Sequence, residues 1–443
     1  MASLGPARPE TAEYWNRKTE TMPRRELEQW QWRKLSKALD YARSNSPFWR
    51  ERLPERIGSL EEYFATVPLL HKSELITAEE EAPPYGAWPS TDPVLGIRHH
   101  QTSGTSGNPP VRTFDTQRDW TWGVDLWCTV LHGMGVRPGH RGMVAFGYGL
   151  FIGFWGMHYG LERMGCRVAP SGGLDSKARV RLLVDQQIEV LGCTPSYAMR
   201  LIETAREMGV DLARDANVRI IMAGGEPRPE STTRTISEAF GARVFNAAGT
   251  TEFGTVSMFE CPWQNGGCHI IESGLIEEVL DPETLRPVGY GEEGVRVTTG
   301  LGREGVQLFR HWTDDLVVKR PWHECGCGRT WDWFDGGILG RRDDMRKIRG
   351  VSVTPVMIED VLRGFPEVSE HQVILRTVRG LDTIVVRVEP HDVAGLDAPG
   401  LCERISRAVK EEIGIRPEVE TAEPGSLPRF ELKAARFHDE RSR

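Results

Sequence analysis

No stretch of this chain approaches the roughly 20 consecutive apolar residues that span a bilayer. The nearest, MVAFGYGLFIGFWGMHYG from Met143, is interrupted by glycines at 147, 149, 153 and 156. A basic-apolar-small leader is also missing: MASLGPARPETAEYW is polar and carries both signs of charge. These absences predict a cytoplasmic protein with no membrane partner. Cysteine is scarce, at 8 in 443 residues, so reduced thiols are expected rather than a disulfide framework. Positive charge is in deficit; the net charge of −8 argues against nucleic acid as a partner. Internal repeats and low-complexity tracts are absent. What remains is 39% hydrophobic and 27% charged, the balance of a globular protein with a large core.

The apolar spacing from Glu26 to Leu53 predicts a helix that ends near a Ser-Asn-Ser-Pro break. Further on, VRIIMAGGE reads as a buried strand entering a turn, PESTTRTISEAFGA as a helix, and RVFNAAGTTE as a strand running into a loop. That alternation predicts an α/β fold of mixed sheets covered by helices. GLIEEVLDPETLRPVGYGEEGVRVTTG reads instead as a β-meander subdomain, with turns at DPET and YGEEG. After GRRDDMRKIRG the pattern changes to one short helix, two strands and an amphipathic helix, a small α+β module. The expected organisation is a large domain over 1–342 and a small one over 343–443, with the polar turn at Asp343 as a hinge.

One loop stands out for small residues and backbone amides: HHQTSGTSGNPPV, from His99. Successive N–H groups in such a loop can cradle phosphate oxygens. No GKS or GKT closes it, so it is not the Walker pattern, and by itself it reads equally well as a surface turn. A second cluster is chemical. FECPWQNGGCHII and HECGCGRT offer Cys261, His269, Cys325 and Cys327, with Cys268 spare. Cysteine and histidine on two knuckles suit a closed, structural Zn2+ site. The remaining thiols, Cys128, Cys166, Cys193 and Cys402, read as buried apolar fillers.

Seven ordered motifs together carry a resemblance. They are YWNRKTETMPRRELEQWQWRKL with NSPFWRERL, TSGTSGNPP, MAGGEPRPE, NAAGTTE, FRHWTDDL, GRRDDMRKIRGVSVTPVMIE and PGSLPRFELKAARFHDER. In this order they resemble the adenylate-forming superfamily, and within it the phenylacetate–CoA ligase-like family, over almost the whole chain. The resemblance implies an AMP-forming acid–thiol ligase that uses ATP, Mg2+ and CoA. Ser103, Gly104, Thr105, Ser106 and Gly107 would hold phosphates. Gly225, Glu226, Pro227, Asn246, Ala248, Gly249 and Thr250 would line the nucleotide, with Gly225 also facing the acid. Thr251 would bond a phosphate and Glu252 would ligate Mg2+. Asp315 would hold the ribose, with Arg341 on the same side. Lys433 would be the cation of adenylation, withdrawn when the small domain rotates about Asp343. Arg349, Gly350 and Val351 would then help form the CoA tunnel.

By the same resemblance Phe146, Tyr148, Phe151, Phe154 and Trp155 would form a pocket for an aromatic acid. The family's piece reads closer to YGYGLFTGGLGAHYG, so Phe154 and Trp155 add bulk here. Two further departures concern the nucleotide: Asn108 stands where the phosphate loop usually carries lysine, and Ala248 where an aromatic residue usually stacks on adenine. The implied reaction is activation of an aryl or arylacetic acid followed by transfer to CoA. A rival keeps adenylation but passes the group to an amine, nitrite or carrier-protein thiol. A third reading is a nucleotide-binding protein without catalysis, which would have no use for the terminal lysine. A homodimer is the candidate assembly.

Overall fold

The computed structural model describes residues 13–102, 109–226, 228–342, 344–349, 351–378, 381–391, 396–428 and 436–441. Its main body is built on one mixed sheet. Strands Arg167–Ala169, Arg141–Val144, Val190–Cys193, Ile220–Gly224 and Arg243–Thr250 lie side by side and parallel. Parallel strands need long crossovers and burial on both faces. The crossovers here include helices Gly153–Arg163, Ser176–Asp185, Pro195–Glu207 and Glu230–Phe240, and all four residues of Val190–Cys193 are buried. Thr194 caps the third helix by accepting from the Tyr197 N–H at 3.2 Å, and Pro195 occupies its first turn.

Beyond Arg243–Thr250 the sheet turns antiparallel through Thr255–Phe259 and Cys268–Ile270. Trp333–Phe334 then joins it to the meander Leu275–Leu280, Glu293–Gly300 and His311–Arg320. The meander expected from the turn signals is present, but it is a continuation of the main sheet. The short strand Trp333–Phe334, too brief to read from sequence, is the link.

Helix Gln117–Gly133 packs along helix Gly153–Arg163. A Cβ on Gly156 would fall 2.2 Å from Trp127 Nε1, and one on Gly160 would fall 2.9 Å from Trp127 Cβ. The glycines at 156 and 160 are therefore used to let two helices touch. The amino-terminal helices Arg24–Asn45 and Pro47–Arg52 replace the single helix read from sequence, because Ser46 caps the second by accepting from Trp49 N. They add Leu27, Leu35, Leu39 and Trp49 to the principal core.

A separate core gathers Ile348, Val353, Ile358, Leu375, Val386, Leu401, Ile405 and Val409. It lies between a four-stranded sheet ordered Glu418–Thr421, Leu381–Pro390, Val368–Val378, Phe437–Asp439 and helices Pro355–Arg363 and Ala398–Ile413. Cys128, Cys166 and Cys193 are buried as expected. Cys402 is a correction: it is partly exposed, because the buried face of its helix is set by Leu401, Ile405 and Val409 and the next residue points about 100° away. Among the described residues no helix is long and apolar enough to cross a membrane.

Candidate functional site

In open α/β sheets ligands bind outside the carboxyl ends of the parallel strands. Three adjacent strands deliver candidate residues there. After Val190–Cys193 comes Ser196, whose N–H (3.2 Å) and hydroxyl (2.6 Å) both donate to Glu226 Oε2. After Ile220–Gly224 comes Gly225, at φ +87°, a backbone state that favours glycine. Arg243–Thr250 carries Asn246, Ala248, Gly249 and Thr250, followed by Thr251 and Glu252. A Cβ on Gly249 would lie 2.2 Å from the Thr255 carbonyl oxygen, so the hairpin closes only with glycine at that position. Thr102 N and Oγ1 bond Val111 O and N, both at 2.9 Å, and this pair fixes the neck of the phosphate loop. Ser103, Gly104, Thr105, Ser106 and Gly107 of that loop lie outside the described residues, as do Asn108, Pro227, Asp343, Gly350 and Lys433.

Glu252 is 6% exposed and Thr251 4%. A buried carboxylate needs compensation, and Lys72 Nζ supplies it at 3.0 Å from Oε1. Burial alone would raise the Glu252 pKa; the ammonium of Lys72 outweighs it and holds the carboxyl below its ordinary value. His311 is itself pushed down to about 4 by burial, and its Nδ1 faces the Leu70 carbonyl at 3.2 Å. Below the site, buried Arg303 donates to the Glu252 carbonyl oxygen (3.0 Å), to Asp115 Oδ1 (2.8 Å) and to the Phe114 carbonyl oxygen (3.0 Å). One guanidinium thus ties the Glu252 turn to the strand Arg112–Thr116, which leaves the phosphate loop.

Asp315 lies on His311–Arg320, directly opposite Arg341 on Gly340–Arg341. Arg296 Nη1 is 3.6 Å from one carboxylate oxygen and Arg341 Nη1 is 3.9 Å from the other. Burial raises the Asp315 pKa against the pull of both arginines. Glu252 also bears on Asp315, so the sequence-predicted Glu252, Asp315 and Arg341 lie near one another. Lys72, His311, Arg296 and Arg303 were missed, because their partners are distant in sequence and no local pattern marks them.

The aromatic strip divides in two. Phe146 and Phe154 are buried in the core with ring centroids 4.3 Å apart, and Phe151 packs partly against them. Tyr148 and Trp155 stand above, T-shaped at 4.7 Å. Trp155 Nε1 donates to the Gly149 carbonyl oxygen at 2.9 Å. The Tyr148 hydroxyl meets His158 Nδ1 at 2.8 Å. Arg98 lies over Trp120 (4.2 Å), Tyr159 (4.5 Å) and Trp155 (5.3 Å).

Toward the carboxyl-terminal part of the chain Arg349 sits at φ +50° in the turn after Arg346–Ile348, and its Nε donates to the Asp382 carbonyl oxygen at 2.7 Å. Val351 is partly buried at the start of Val351–Val353. Arg436 pairs with Glu370 at 2.6 Å and Glu359 at 3.5 Å and lies in the field of Glu226. It lines one groove together with Ser196 and Glu226, beside the turn after Ile220–Gly224.

The ligand atoms of Cys261, His269, Cys325 and Cys327 lie within 4.8 Å of one another. The sulfurs of Cys261 and Cys325 are 3.7 Å apart, and His269 Nε2 is 3.3 Å from Cys325 Sγ and 3.2 Å from Cys327 Sγ. A tetrahedral zinc places such atoms about 3.5–3.8 Å apart; the sulfur pair lies in that range and the two histidine contacts slightly below it, so a small adjustment would seat the metal. Cys268 stays outside it, with Sγ toward the Gly266 carbonyl oxygen.

An AMP-binding enzyme family model matches residues 68–302, and the C-terminal domain model of AMP-binding enzymes matches 350–441. The chain is 34% identical to a phenylacetate–coenzyme A ligase of Thermus thermophilus, over 93% of this chain and 96% of the relative. It is 32% identical to the Pseudomonas putida enzyme of the same name, over 94% of each. Among solved structures, 2-hydroxyisobutyryl-CoA ligase in its post-adenylation state superposes with a TM-score of 0.92 at 29% identity, covering 99% of this chain and 95% of that one. The same enzyme in its thioesterification state gives 0.75, over 100% and 95%. The chain belongs to the phenylacetate–CoA ligase family of adenylate-forming enzymes.

Proposed function

We propose that this protein is an AMP-forming acid–CoA ligase whose acid is an aryl or arylacetic one. A carboxylate oxygen of the acid attacks the α-phosphorus of ATP, the bond to the bridging oxygen breaks, and pyrophosphate leaves with an acyl-adenylate formed. The thiol of CoA then attacks the acyl carbon, AMP departs, and the thiol proton is released. Such chemistry depends on holding reactants in line and stabilising developing charge. The observation that carries this reading is Glu252. It is a buried, ionised carboxylate at the carboxyl end of the strand Arg243–Thr250, in the cleft that also receives Asp315.

Each residue has a task. Asp315 accepts the ribose hydroxyls, with Arg341 beside it. Gly225 and Glu226, with Asn246 to Thr250, line the purine and the adenylate. Thr251 and the loop Ser103–Gly107 donate to phosphate oxygens. Glu252 offers a hard oxygen donor suited to Mg2+, which supplies charge neutralisation on the phosphates when bound with ATP. Lys433 approaches the α-phosphate during adenylation and withdraws afterwards. The better superposition on a post-adenylation state than on a thioesterification state supports a small domain, 343–443, that changes orientation between half-reactions. Tyr148 and Trp155 wall the acid pocket above the packed Phe146, Phe151 and Phe154.

Cys261, His269, Cys325 and Cys327 would hold a structural zinc that pins the loop after Thr255–Phe259 to the loop before Trp333–Phe334. Four protein ligands leave no open position, so the metal would contribute folding and no chemistry. The test of the function is a panel of aromatic acids with ATP and Mg2+, read by pyrophosphate release and by mass of a CoA thioester. Pyrophosphate without thioester would point to another acceptor. No pyrophosphate with any acid would refute the reading.

A further inference from the structure

Lys72 opens the helix Lys72–Glu81, where a cation opposes the helix dipole. Local helix stability therefore does not explain a lysine there. Its position is set by tertiary contacts. Just before it, Leu70 N donates to the Arg310 carbonyl oxygen and Trp312 N donates to the Leu70 carbonyl oxygen, each at 2.9 Å. These bonds dock the helix start onto His311–Arg320, the strand that carries Asp315. The lysine arm then reaches Glu252 at 3.0 Å while staying 37% exposed. Beside it lie Glu252 and His311, the latter held neutral by burial. The phosphate loop, Thr102 to Pro110, contributes no charged side chain, yet the reaction gathers a triphosphate and a carboxylate beside it.

Resting on the function proposed above, we infer that Lys72 is a second cation of the adenylation site with two stations. Without nucleotide it neutralises Glu252. When Mg2+ occupies Glu252, the ammonium is released and turns to an anionic oxygen of the reactants, on the α-phosphoryl group or the acid's carboxylate. The move needs only rotation about its flexible four-carbon stem. It keeps the buried carboxylate paired in both states, which matters because an unpaired buried charge is costly. Lys72 is fixed to the large domain, so it stays in the cleft when the small domain turns, unlike a lysine carried by residues 343–443.

The roles separate by sign. Lys72→Ala and Lys72→Gln are compared with wild type and with Lys72→Arg. Calorimetry measures Mg2+ alone and ATP at saturating Mg2+; pyrophosphate release with acid measures adenylation. Removing the competitor of Mg2+ should tighten Mg2+ binding, while loss of a charge-assisted contact should weaken ATP about 10-fold or more and slow adenylation on the order of 100-fold. Arginine should recover part of the loss. A lysine with only a structural role would leave ATP affinity and adenylation at wild-type values with a lower unfolding midpoint, and that result would overturn the inference; so would weaker Mg2+ binding in Lys72→Ala. If wild type releases no pyrophosphate with any acid, the proposed function fails, while the Mg2+ and ATP affinities still decide the two stations of Lys72.

Discussion

His269 turns its Nδ1 to the Trp331 carbonyl oxygen at 3.1 Å, and this contact aims Nε2 at the sulfurs of Cys325 and Cys327. A ring nitrogen committed to a backbone carbonyl carries the hydrogen, which leaves the other nitrogen free to bind a metal. Arg329 lies beside the thiols, paired with Glu20 at 2.8 Å, and brings positive charge to them.

Metal analysis should therefore find about one zinc per chain. Cys325→Ser with Cys327→Ser should lose it and lower stability by at least about 4 kcal/mol, the range associated with loss of a structural metal. A metal-free wild-type chain with an unchanged unfolding midpoint in chelator would contradict the site.

Lys433→Ala should reduce adenylate formation on the order of 100-fold or more, as removal of a transition-state donor does. Thioester formation from supplied adenylate should stay near wild type. Equal losses in both half-reactions would dissociate Lys433 from the division of labour.

Trp155→Gly should admit bulkier rings, at a cost of about 1 kcal/mol from glycine in the helix Gly153–Arg163. The ratio of kcat/KM between substituted and unsubstituted acids is the measurement. An unchanged ratio would take Trp155 out of the pocket wall.

His100 stacks on Trp120 at 6.0 Å and is pushed down to about 4, first by burial. The folded protein therefore binds fewer protons than the unfolded chain between pH 4 and the ordinary histidine value of 6.5. The stability this group contributes is complete above pH 6.5 and is lost as pH falls through that window. The slope is about 1.4 kcal/mol per pH unit for one proton. Glu79, pushed up to about 7 by burial, acts in the opposite direction, but equally in wild type and variant. His100→Gln should thus show a shallower loss of stability on acidification in denaturant titrations, and parallel curves would exclude the effect.

Much of this was legible from residues close together in the chain. Cys261, His269, Cys325 and Cys327 fall on two knuckles of soft donors, so their suitability for a metal could be read before their geometry. The parallel core was legible because VRIIMAGGE and RVFNAAGTTE are each complete as strand and turn. Lys72 and Glu252 are an ion pair between segments with nothing in common but a place in space. Arg303 is equally silent: one arginine in LGREG gives no sign that three partners await it. The merger of the meander with the main sheet depends on a two-residue strand, below the length at which alternation carries information. The aromatic strip announced rings but could not say which would be buried, since Phe146 and Tyr148 alternate in a glycine-rich stretch without regular period.

The Arg303 clamp has a kinetic meaning. The strand Arg112–Thr116 and the turn bearing Glu252 are anchored to a common post, so on the proposed function the spacing between two grips on a triphosphate would be set before any nucleotide arrives. On the proposed function, ATP would then meet a site already arranged, and the slow motions of turnover would fall to residues 343–443.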